Sequence, residues 1–139
     1  MILDEIGKLI TDNTTSRVVG TNLFKSFEHP QAPDTSTFVL ETQGVPPTRT
    51  FGSSDPAFEN PGIQIIDRSS DYQIARNSAE TIFRILDRQA NTTLLPAAGD
   101  DGAFYLSISA QQSPFPIGTD ENDRHQISHN YLVNKELST

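Results

Sequence analysis

The chain has 139 residues and no cysteine. This length suits one domain that buries roughly two thirds of its unfolded surface, and the missing thiols exclude disulfides, thiolate metal sites and cysteine nucleophiles. Ten basic residues against 18 acidic ones give a net charge of -8, and the bases form no stripe of the kind that phosphate gripping needs.

The acid is spread along the chain. Residues 1–35 carry five acids and three bases, and residues 101–139 carry five acids and two bases. Such a surface repels nucleic acid at long range, and suits one past which DNA slides without sticking. The apolar runs are too short to span a bilayer. Asp4 and Glu5 stand where a secretion signal carries positive charge. The expectation is a cytosolic chain with no membrane partner.

Residues 2–11 predict an amphipathic helix, with Ile2, Leu3, Ile6, Leu9 and Ile10 on one face. Residues 22–28 predict a short strand, ended by Pro30 and Pro33, and residues 36–42 a second one with Phe38 and Leu40 on one face. Residues 43–61 hold four prolines and two glycines and predict the largest irregular stretch. Long loops inside compact domains are often functional. Arg49, Phe51 and Phe58 make this one a candidate interface, because arginine and aromatic anchors are enriched there.

Residues 62–68 predict a third strand. A second helix follows to about residue 88, with Ser70 and Gln73 spaced as a capping box. Its stripe is Ala75, Ala79, Ile82, Phe83 and Leu86. Arg76, Glu80, Arg84 and Arg88 lie outside, with Glu80–Arg84 in the favourable i, i+4 order. Residues 103–110 alternate as a strand, with Phe104, Leu106, Ile108 and Ala110 on one face and Tyr105 on the other. Residues 111–118 predict an irregular Pro-rich connection, 119–123 a turn, and 124–133 the last strand. The resulting class is α+β: an antiparallel or mixed sheet of about five strands with two helices packed on it, in the order α-β-β-β-α-β-β, spanning 1–139 as one domain.

No constellation rises to an active site. His125 and His129 lie four apart on a strand and point the same way, yet a zinc site needs a third and usually a fourth ligand. Their ordinary reading is a partly exposed strand face. The run from Asp120 to Asp123 lacks the glycine and the bidentate glutamate of a calcium loop. There is no nucleophile elbow and no phosphate loop. No enzyme, metal or cofactor is expected.

Two stretches carry a resemblance. The first is QGVPPTRTFGSSDPAFENPGIQIIDRSSDYQIARNSAETIFRIL, with Glu59-Asn60-Pro61-Gly62 leading into a strand and Tyr72-Gln73-Ile74-Ala75 opening a helix. The second runs from Gln112-Ser113-Pro114-Phe115 through Gly118-Thr119-Asp120-Glu121-Asn122 to Arg124 at the head of the last strand. Together these resemble the tailed-phage family of tail terminators, also labelled minor capsid proteins, over about residues 20–134. Asp123 departs from the family, which commonly has glycine in this turn.

The resemblance implies an α+β virion subunit, assembled in the host cytoplasm, that closes into a homo-oligomeric ring, commonly a hexamer. The ring would cap the tail tube protein, end its polymerisation and meet the head connector or stopper protein, with genomic DNA passing its lumen without specific binding. The alternatives are another neck component of the head-completion or stopper kind and, from a different class, a small metal-dependent enzyme. The candidate interface residues are Arg49, Phe51, Phe58, Phe115 and Arg124.

Overall fold

The computed structural model describes residues 2–14, 16–25, 31–49, 56–94 and 102–136, with 47–49 and 56–57 described by their backbone alone. Helix α1 (Ile2–Asn13) precedes strands β1 (Leu23–Lys25), β2 (Ser36–Arg49) and β3 (Pro56–Ser69). Helix α2 (Tyr72–Leu86) is followed by β4 (Ala90–Leu94), β5 (Ala103–Ala110), β6 (Phe115–Thr119) and β7 (His125–Glu136). The order across the seven-stranded sheet is β1-β2-β3-β7-β5-β4, and β6 pairs with β7. The pairing is antiparallel except for β1 and β2, which run parallel.

The class is therefore α+β with a mixed sheet, as the sequence predicts, but with two more strands than expected. Strand β7 joins its parts. One edge pairs with β3. On the other edge β6 takes residues 125–128 and β5 takes residues 131–135.

Both helices lie on one face of the sheet. Ile2, Leu3, Ile6 and Ile10 of α1 and Ile82 and Leu86 of α2 pack with Val39, Ile63, Ile65, Tyr105, Ile108, Tyr131 and Val133. Ala75 and Ala79 let the start of α2 settle close on Ile127. At ~25 cal/mol per Å² of apolar surface removed from water, this layer is the main stabilising term.

Four expectations are corrected. Most of the stretch 43–61 is not irregular but extends β2 and β3 into one long hairpin. Its register shifts three times, between Thr42 and Val45, Val45 and Thr48, and Thr48 and Arg49. Beyond Val39 the outer edge of β2 has no partner among the described strands. Pro46 and Pro47 fall on this edge strand between the paired residues Val45 and Thr48, where the register shifts and a missing N–H is tolerated. Pro116 lies likewise on the outermost strand β6, so residues 111–118 are not wholly irregular either.

The alternation of β5 also breaks. A bulge between Tyr105 and Ser107 shifts the register. Tyr105 and Ile108 both turn inward, and Leu106 turns out at 39% exposure. Finally, α2 is capped by Asp71 rather than Ser70, its carboxylate accepting the Gln73 N–H at 2.9 Å. Arg76 pairs with Glu80 at 3.2 Å, while Arg84 stays outside.

Candidate protein-interaction surfaces

The sequence candidates fall in different places. Arg49 ends β2, its backbone opposite Pro56. Phe51 lies outside the described residues. Phe58 is half-buried on β3, opposite Thr48 and Glu136. Phe115 opens β6 opposite Ser128 and is 38% exposed. The structure thus places Arg49 and Phe58 on one hairpin, and Phe115 on a different strand.

Arg124 is only 5% exposed. Its Nε donates to Asp120 Oδ2 at 2.8 Å, and NH1 faces Asp34 Oδ1 at 3.5 Å. Asp120 Oδ1 also accepts the N–H groups of Asn122 and Arg124, both at 3.0 Å. Partial burial raises the Asp120 carboxyl, but these bonds from Arg124 and Asn122 outweigh it and hold the group below its ordinary value. Arg124 thus braces the β6–β7 turn from inside the subunit. Asp123, at φ 58°, takes a left-handed backbone position in this turn. Aspartate is among the residues that tolerate it.

Strand β6 is exposed at every position and adds Ile117 at 45% to Phe115. The β6 edge is held to the rest of the chain by β7 and by Arg76, whose NH1 donates to Pro114 O at 2.8 Å. Sequence reasoning missed Ile117. Its signal in the sequence is a single apolar residue inside a Pro- and Gly-interrupted run.

Under α2 lies a polar centre that the sequence did not reveal. Asp67, with no exposed surface, accepts from Thr37 Oγ1 at 2.6 Å, Ser78 Oγ at 2.8 Å and His129 Nε2 at 2.7 Å. Arg17 donates to Thr37 Oγ1 and Ser78 Oγ, both at 2.8 Å. Burial lowers the Arg17 pKa, and the Asp67 charge pushes it back up. A carboxylate only accepts, so His129 Nε2 carries a proton toward Asp67. The Tyr131 hydroxyl stands 2.5 Å from Nδ1, placed to donate. Burial first, then the charges of Asp67 and Asp87, raise its pKa and keep that proton on.

His129 therefore does not lie on a partly exposed face. His125, on the same face, packs edge-on against Tyr72 with ring centroids 5.6 Å apart. Among the described residues no group of three or more His, Cys, Asp or Glu could hold a metal ion. A sealed His–Asp pair offers no route to a substrate. Its chemistry is cohesion, since it locks β2, β3, β7, α2 and the segment after α1 together. A second buried group does the same at the other end. Lys135 Nζ lies 3.5 Å from both Glu5 and Glu59, and Tyr105 donates to Glu5 at 2.6 Å.

Among the described residues these features define a two-helix, mixed-sheet fold with paired buried charges and exposed edge strands. A chain of the solved virion of a native gene transfer agent (GTA) particle has a similar fold, with a TM-score of 0.56 at 11% identity, covering 94% of both chains. No curated protein sequence matches. Residues 18–137 match the bacteriophage tail terminator protein family. The chain belongs to that family, and is a structural protein of the phage virion.

Proposed function

We propose that this chain forms a ring, a hexamer by the family's habit, that caps the completed tail tube, ends its polymerisation and presents a surface to the head connector. The family match over residues 18–137 carries this reading. The exposed edge strand with Phe115 and Ile117 supports it, as an interaction surface that the isolated subunit does not cover. The fold likeness to a chain of a virion particle is in keeping with it. The net charge of -8 suits a lumen that DNA traverses without adhering.

Phe115 is the leading contact toward a partner protein, with Arg49, Phe51 and Phe58 of the hairpin as a second group. Arg124 serves by positioning the β6–β7 turn. The test is a phage genome deleted for this chain and complemented in trans. Complementation by the wild type gives tails of one length joined to heads. Phe115→Ser with Ile117→Ser gives overlong tubes or unjoined tails, while the purified variant keeps its folded circular dichroism. Deletion that leaves tail length and joining unchanged overturns the proposal.

A further inference from the structure

The charges of this subunit are sorted in a way that the family match does not require. Lys8 is held by Asp12, Lys25 by Asp4, Arg76 by Glu80, Arg124 by Asp120, and Lys135 by Glu5 and Glu59. Arg17 and Arg68 are buried and donate to groups of the chain. Among the lysines and arginines whose side chains are described, only Arg84 and Arg88 are exposed with no hydrogen bond or ion pair inside the subunit. An acidic protein that leaves two arginines unpaired side by side, on the last turn of α2 and just beyond it, has a reason to be sought outside the subunit. The helix dipole favours Arg84 there, but its effect fades by Arg88.

The opposite sign is unpaired at the other end. Glu121 and Asp123 are exposed on the β6–β7 turn, and among the described residues no side-chain partner holds either. The turn lies at the N-terminal end of α2, where His125 packs on Tyr72. The arginines lie at the C-terminal end, where Gln89 O accepts from Ile108 N at 3.1 Å. A 15-residue helix separates the two by about 22 Å. Each end also carries a free sheet edge and exposed apolar side chains. The acidic end has β6 with Phe115 and Ile117, and the basic end has β4 and the bulged Leu106.

We infer that the acidic end of one copy docks on the basic end of the next, head to tail. The occupant of each patch is a second copy of this chain. Two different, complementary patches on one subunit make a heterologous contact, and such contacts build a ring when the rotation between copies closes and a filament when it does not. The inference rests on the ring reading and names the surfaces that build it.

The test uses the full chain, and its lack of cysteine keeps it clean. One variant carries Arg84→Glu and Arg88→Glu. A second carries Glu121→Lys and Asp123→Asn, the asparagine chosen because it tolerates positive φ. Sedimentation at low salt follows assembly, and circular dichroism checks folding. Each variant alone loses association by at least about tenfold, because like charges now face each other. Mixed in equal amounts they recover it, since every contact in an alternating ring is again complementary. Independently, Glu121→Cys with Arg88→Cys in one chain gives, on oxidation, a ladder that continues past the dimer.

Variants that assemble like the wild type, or cross-links that stop at the dimer, overturn this pairing and leave the ring reading standing. A wild type that stays monomeric at its highest soluble concentration and on tail tubes overturns the ring reading itself.

Discussion

Replacing Asp67 by asparagine isolates the value of the buried charge, because shape and volume barely change. Asp67 accepts three hydrogen bonds at 2.6–2.8 Å with no contact to solvent. In the Asp67→Asn variant the bonds from Thr37 and Ser78 fall from the ~1.5–3 kcal/mol range of charged acceptors to ~0.5–1.5 for neutral ones, about 1 kcal/mol apiece. The new amide faces His129 Nε2 donor to donor until the imidazole changes tautomer. Arg17, 5% exposed, loses its nearest opposite charge and stays desolvated. The expected loss is about 3 kcal/mol. With a urea m-value of about 1.5 kcal/mol/M, the midpoint falls by about 2 M. The chain has no tryptophan, so unfolding is followed by far-ultraviolet circular dichroism, at a concentration where the subunit is monomeric. A loss under about 1 kcal/mol at unchanged m-value would refute the reasoning. Arg17 would then be neutralised by solvent or by other groups.

Lys135→Met removes the cation between two carboxylates and leaves Glu5 buried. Losing one partner of a buried pair costs about 3–5 kcal/mol, and adding Glu5→Gln recovers part of it in the same urea assay. Gly44→Ala places a Cβ 1.8 Å from Asn60 O and 2.8 Å from Pro61 Cα, both backbone atoms that cannot swing away. The hairpin must splay, with about 1–3 kcal/mol lost and faster amide exchange near residues 42–45 and 60–62. Asp120 has a folded pKa below its ordinary 3.8, so its contribution is full above that value and lost as pH falls through the depressed one. Arg124→Ala raises the Asp120 pKa in a carboxyl NMR titration, and the stability gap to the wild type narrows as pH drops below 3.8.

The parts legible in the sequence were those whose periodicity is local. The stripe of α2 and the face of α1 follow from side chains three and four apart. What escaped was decided at longer range. A proline reads as a breaker until a sheet edge supplies a place where its missing N–H is harmless, as at Pro46 and Pro116. Alternation through Phe104 to Ala110 predicts one face, but a bulge opposite β7 moves Tyr105 into the core. The polar strand Ala90–Leu94 has no alternation to detect. Asp67 and His129 stand 62 residues apart in the chain, so no spacing could announce their bond. Of the interface candidates, Phe115 combined exposure with a place on an unpaired edge. Arg124 stands out in the sequence by its place in the motif alone, and its burial depends on folds of the chain that no local pattern encodes.

The position of β7 has a kinetic consequence. The strand that joins β1–β2–β3 to β5–β4 and β6 comes after all the other described strands in chain order. Until it is synthesised and inserted, the two parts of the sheet share no hydrogen bonds, and the β6–β7 turn has no second arm. Folding dominated by such distant pairing is slow, on the order of milliseconds to seconds. A nascent fragment on the ribosome thus displays no finished surface to its neighbours, and the subunit becomes competent to join others in the same step that completes its fold.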